Sequence, residues 1–75
     1  MSDAIVDAER RFTYHKVDEA VADDMRLLRN TARSFALLIV ETVPPSRERS
    51  LSLTKLEEVV MWSNTALARQ YGSPE

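Results

Sequence analysis

Pro44 and Pro45 separate two apolar runs that keep the same step, and this arrangement fixes most of what the chain can fold into. Ahead of the prolines, Val21, Met25, Leu28, Ala32, Phe35 and Ile39 recur at alternating steps of four and three; behind them Leu53, Leu56, Val60, Ser63 and Leu67 do the same. That spacing lines one face of an α-helix, not a pleated strand. Asp18 and Ser46 stand where each run begins, and each offers a side-chain oxygen to the free N–H groups of a first helical turn. Asp23, Asp24 and Glu48 place negative charge near the positive helix ends. Val43 precedes a proline and is pushed out of helical geometry. The spacing therefore predicts long helices over 18–41 and 46–70, joined by a stiff loop as an antiparallel hairpin.

A shorter helix is expected over 2–11, with Ile5, Ala8 and Phe12 on one side, then a linker over 12–16. Gly72–Glu75 reads as a frayed tail. The fold class is all-α, within one domain covering 1–75. The single glycine, Gly72, argues against a chain of β-turns. Val59, Trp62 and Ala66 form a second stripe on the last helix, unused by the first; the short helix, another subunit, or both would cover it.

At 75 residues the chain has little core to bury, and with no Cys and one His neither disulfides nor a metal staple can compensate. Homo-oligomerisation is the remaining common solution. The longest apolar run, Phe35–Val40, falls far short of the roughly 20 residues of a membrane span. No signal-peptide pattern opens the sequence, so the expected location is the cytoplasm.

Ten basic residues against 12 acidic leave a net charge of −2, which disfavours duplex nucleic acid as a partner. Arg10, Arg11, Lys16, Arg26, Arg29 and Arg33 nevertheless crowd the first half, where a small anion could find a local positive site. No nucleophile constellation, metal-binding motif or glycine-rich phosphate loop is present, and adjacent Glu57 and Glu58 point about 100° apart on a helix. The sequence thus reads as a non-enzyme without a cofactor.

Among binding candidates, Tyr14, His15 and Lys16 put a ring, an imidazole and an ammonium together. The ring could stack on a nucleobase, or simply pack on the hairpin with its hydroxyl wet. Arg26, Arg29 and Arg33 share a helical face, either as a phosphate-binding ridge or as a solvated row answered by Asp23 and Asp24. Thr31 could donate to a phosphate or base edge. Trp62 suits a subunit interface. Taken singly, each residue is better explained by the bland role.

Their order together resembles one family. Arg11-x-x-Tyr14-His15, the Arg26–Arg33 helix, Pro44-Pro45-Ser46-Arg47-Glu48 and LxLTKLEEVVMWSNTALAR over 51–69 are similar to the helical-hairpin domain of phage-encoded anti-CBASS sponges. Those proteins sequester the signalling nucleotides made by bacterial immune cyclases. The likeness covers residues 10–69 and is most specific at Ser46–Glu48, Leu53–Glu57 and Trp62. It implies one short and two long helices in a homo-oligomer, a hexamer, acting in the host cytoplasm during infection. It also implies binding of cyclic dinucleotides of the 3′,3′-cyclic GMP–AMP type between protomers, and of cyclic trinucleotides at a separate site. Tyr14, beside His15, would stack on a base; Arg29 would hold phosphate with Thr31 next to it; Arg26 or Arg33 could share that task, and Arg69 would serve the second site. Ser52, Ser63 and Thr65 depart from alanines common in the family, and the Arg/Lys choice near Arg29 could alter nucleotide preference. The competing reading is an oligomeric helical module that binds a protein, which needs only the Val59/Trp62/Ala66 stripe.

Overall fold

A computed structural model describes residues 3–12 and 15–74. Helix α1 spans Asp3–Phe12, strand β1 His15–Lys16, helix α2 Glu19–Thr42, helix α3 Arg47–Tyr71 and strand β2 Ser73–Pro74. The N-terminal limit expected at residue 2 lies outside the described residues. The molecule is a hairpin of two long antiparallel helices with a short helix at its open end.

The ends of the long helices are set by local chemistry. Asp18 accepts the Val21 N–H at 2.9 Å and caps α2. The hydroxyl of Ser46 accepts the Arg49 N–H at 3.1 Å and donates to the Pro44 carbonyl at 3.0 Å, so one side chain closes α3 and folds the loop. Arg49 also reaches back to donate to the Val43 carbonyl at 3.3 Å, meeting the positive charge it carries with the negative end of α2. Replacing Ser46 with alanine is expected to cost about 1 kcal/mol, the usual worth of a lost hydroxyl cap; a urea titration would record it as a lower midpoint at unchanged slope.

The α3 face is the one its periodicity predicts: Leu53, Leu56, Val60, Ser63 and Leu67 are all half-buried. On α2 the stripe departs from the heptad. Ala36 turns inward with Ala32 and Ile39, while Phe35 stays 55% exposed and Leu28 lies at the margin. A straight α-helix drifts about 20° per heptad against a strict 3.5-residue repeat. The drift carries Phe35 to the edge and brings alanine into the seam, where small side chains let the backbones approach. The serine at 52 donates its hydroxyl to the Glu48 carbonyl at 3.0 Å, so its polar group is satisfied within the helix.

The open end holds a feature not expected from sequence. His15 pairs with Pro74 and Lys16 with Ser73 in a two-residue antiparallel ladder, tying down a tail that reads as frayed. Proline is tolerated because it sits on an edge where no donor is needed. Phe12, expected in the linker, closes α1 instead.

α1 packs along neither long helix. Its described residues are exposed save half-buried Asp7, which pairs with Arg10 at 3.1 Å and Arg11 at 2.8 Å, and Phe12 is 88% exposed. The chain measures 51 × 29 × 13 Å, one helix layer thick, with a radius of gyration of 16.0 Å against roughly 11 Å for a compact chain of this length. Among the described residues only Val21, at 8% exposure, is buried. The accessible surface is 6167 Å²; a compact protein of this mass exposes roughly 4,700 Å². The excess approaches two standard half-interfaces of about 800 Å² each.

Candidate functional site

A concavity runs along one face of the hairpin and holds about 480 Å³. Its floor is Ala32 and Ala36 of α2 with Leu53, Leu56 and Val60 of α3; Arg29 and Arg33 form one rim, Glu57 and Met61 the other. The cause lies in the seam. Two alanines one turn apart face three larger side chains, so the floor is apolar but shallow, and the long side chains at its edges stand up as walls.

Arg29 and Arg33, four residues apart, occupy adjacent turns of one face. Among the described residues neither guanidinium has an ion-pair partner within reach, although Glu57 faces them across the groove. Arg26 differs: it bonds Asp23 one turn earlier on the exposed surface, and it does not line the groove. A pair of unanswered guanidiniums beside an apolar floor suits a ligand that joins anionic groups to flat or apolar ones, since each fork can take two oxygens of a phosphate.

The other expected residues lie elsewhere. Thr31 is exposed, and at two residues from both Arg29 and Arg33 it lies about 200° around the helix. One protomer cannot turn Thr31 and Arg29 on the same ligand. Tyr14 falls outside the described residues, and of His15 only the backbone pairing with Pro74 is described. Arg69 is exposed in the last turn of α3, at the far side of the molecule from the loop.

Two features escaped sequence reasoning. Glu57, there only one of an adjacent acidic pair, lines the groove, whereas its neighbour Glu58 turns away to pair with Lys55 at 3.2 Å. The Ala32/Ala36 spacing opposite three bulky residues was the available signal for the groove. Asn64, half-buried on α3, has a carbonyl oxygen shielded from solvent without a hydrogen-bond partner among the described residues. On the opposite face of α3, Trp62 stands 60% exposed and Val59 57%, uncovered by α1. Among the described residues no helix is long and apolar enough to cross a membrane.

A family model described as Acb2/Tad1, hairpin domain, matches residues 4–68, from within α1 through nearly all of α3. No curated protein and no solved structure matches the chain. The match spans α2, most of α3, the proline loop and every lining residue of the groove, and the chain therefore belongs to the Acb2/Tad1 hairpin-domain family, the family of anti-CBASS sponges.

Proposed function

We infer that this protein is a non-enzymatic sponge that binds and holds cyclic dinucleotides, and at a separate site cyclic trinucleotides, so that host CBASS signalling is starved of its messenger. The observation that carries the reading is the pair Arg29 and Arg33, unanswered by any acid within reach among the described residues and set over an apolar floor, in a chain of this family. Arg29 holds a phosphate, Tyr14 stacks on a base with His15 beside it, and Thr31 contributes from a second protomer's helix. Arg26 takes a lesser part because Asp23 already engages it. Arg69 serves the trinucleotide site.

Since Thr31 and Arg29 point apart on one helix, a site using both is assembled between subunits. That agrees with the surplus surface of the single chain and with a hexamer acting in the infected cell's cytoplasm. A sponge needs affinity rather than turnover. Nanomolar binding is about −12 kcal/mol; stacking contributes roughly 1–3 kcal/mol per base, and charge-assisted bonds to each phosphate roughly 1.5–3 more.

The uncovered Val59/Trp62/Ala66 stripe favours a second reading, an oligomeric module that binds a protein. Incubation with 3′,3′-cyclic GMP–AMP, removal of free ligand, heat denaturation and mass spectrometry separate the two. The sponge reading predicts recovery of intact ring in a fixed ratio to protein. Recovery of nothing favours the protein-binding module, and a linearised product would mean an enzyme.

A further inference from the structure

We propose that the C-terminal strand β2 is a positioning element for ligand binding: its ladder with β1 holds the backbone next to Tyr14 in place before any ligand arrives. The inference rests on the sponge reading for the role of Tyr14. His15 pairs with Pro74 and Lys16 with Ser73 in antiparallel register, so the ladder begins at the residue that follows Tyr14. β1 is fixed on its other side as well. Only half-buried Val17 separates Lys16 from Asp18, whose carboxylate caps α2 by accepting the Val21 N–H at 2.9 Å. The short strand is thus held by the start of one long helix and by the chain that leaves the other. The family match ends at residue 68, so Ser73 and Pro74 belong to a part of this chain that lies beyond the matched hairpin.

Local chemistry delivers the tail to that place. α3 stops at Tyr71, and the Gly72 N–H closes its last turn on the Ala68 carbonyl at 2.8 Å. Gly72 is itself extended, with φ −80° and ψ 154°, so the chain leaves the helix directly in strand geometry rather than through a left-handed cap. Ser73 precedes a proline, which biases it to the same extended region. Because the hairpin is antiparallel, the exit from α3 lies at the end where α2 begins and β1 sits. Pro74 also shows which pair carries the hydrogen bonds. Facing residues of an antiparallel ladder alternate between pairs that exchange two N–H···O bonds and pairs that exchange none, and proline has no N–H to give. The bonded pair is therefore Lys16 with Ser73, and one of its bonds needs the Ser73 N–H.

The consequence is pre-organisation. A stacking ring carried on a free linker loses backbone freedom when it binds, and ordering one residue's backbone weakens an equilibrium by roughly tenfold. The ladder makes that loss part of folding, so it no longer opposes the ligand. Two hydrogen bonds suffice because the strand they hold is already anchored through Asp18. In this role the tail need touch no ligand atom. It acts through Tyr14, and its effect disappears when the ring is removed.

Two substitutions at one position separate the backbone from the side chain. Ser73→Pro removes the ladder N–H, and Gly72 already has the extended geometry that a following proline requires; Ser73→Ala keeps the N–H. In titration calorimetry with 3′,3′-cyclic GMP–AMP, Ser73→Pro is expected to weaken binding about tenfold and Ser73→Ala less than about twofold. In a Tyr14→Ala background, Ser73→Pro should cost less than about twofold more, the mark of an effect that passes through the ring. Equal affinity of Ser73→Pro and wild type would overturn the inference, and so would a full tenfold loss that persists without the ring. Amide hydrogen exchange tests the ladder without ligand. The Lys16 amide should exchange about tenfold faster in Ser73→Pro than in Ser73→Ala, with amides in the middle of α2 and α3 unchanged; an unchanged Lys16 rate would also overturn it. Absence of binding by the wild type itself would remove the sponge reading and this inference together, whereas tight binding by wild type and Ser73→Pro alike would remove this inference alone.

Discussion

Arg29→Ala is expected to weaken binding of a cyclic dinucleotide about 100-fold, whereas Arg26→Ala costs less than threefold. The difference follows from what each guanidinium does in the free protein. Arg26 is held by Asp23 on the exposed helix surface, and breaking such a pair changes little. Arg29 stands at the groove with no acid in reach among the described residues. A phosphate placed there gains charge-assisted hydrogen bonds in a partly dry setting, and losing one partner of such a contact costs roughly 2–5 kcal/mol. Arg29→Lys separates charge from shape: it keeps the cation and loses the fork, and an intermediate loss of about tenfold is expected. Titration calorimetry on the three variants, each checked for helicity, measures all of this. Equal losses for Arg26→Ala and Arg29→Ala would mean that the row acts only as diffuse positive charge.

Trp62→Asp should have the second large effect. The protein is expected to sediment as a smaller species and to lose most of its helix signal at low micromolar concentration. The single chain buries only Val21 among its described residues and leaves Val59 and Trp62 mostly in water. A hairpin one layer thick cannot offset the entropy of ordering two long helices. In the proposed assembly a partner covers this face, and Trp supplies the largest apolar area at the least entropic cost. Removing its packing forfeits roughly 3–5 kcal/mol, and a carboxylate in its place adds an uncompensated charge to the interface. For the wild type the same account predicts a melting temperature that rises with protein concentration, because stability is drawn from association. A melting temperature independent of concentration, with Trp62→Asp unfolding like the wild type, would mean that the hairpin stands alone.

Those expectations rest on parts of the molecule that were unequally legible in the sequence. Caps are local chemistry, so Asp18 and Ser46 could be read directly, and both accept the N–H three residues on. The α3 seam was legible because Leu53, Leu56, Val60 and Leu67 are large and regularly spaced. Phe35 misled for a physical reason. Strict heptad counting favours the bulkiest residue, whereas the packed helix favours the small one, Ala36, one residue on. The ladder between His15–Lys16 and Ser73–Pro74 was not legible, since it joins segments far apart in sequence through backbone groups that carry no side-chain signature. For the site, the arginine row was visible, but not which members were free. That depended on rotamers: Arg26 turns back to Asp23, while Glu57 and Glu58, adjacent in sequence, part company across the helix. Thr31 illustrates the converse, a residue close to Arg29 in sequence yet turned away from it in space.

The central claim is that this hairpin binds a cyclic dinucleotide and releases it unchanged. Titrating 3′,3′-cyclic GMP–AMP into the assembled wild-type protein by calorimetry tests it most directly. Saturable binding at nanomolar Kd, about −12 kcal/mol, with less than one ring per chain because sites are shared between subunits, is the predicted result. An absence of heat up to high micromolar ligand, across a panel of cyclic dinucleotides, would contradict it.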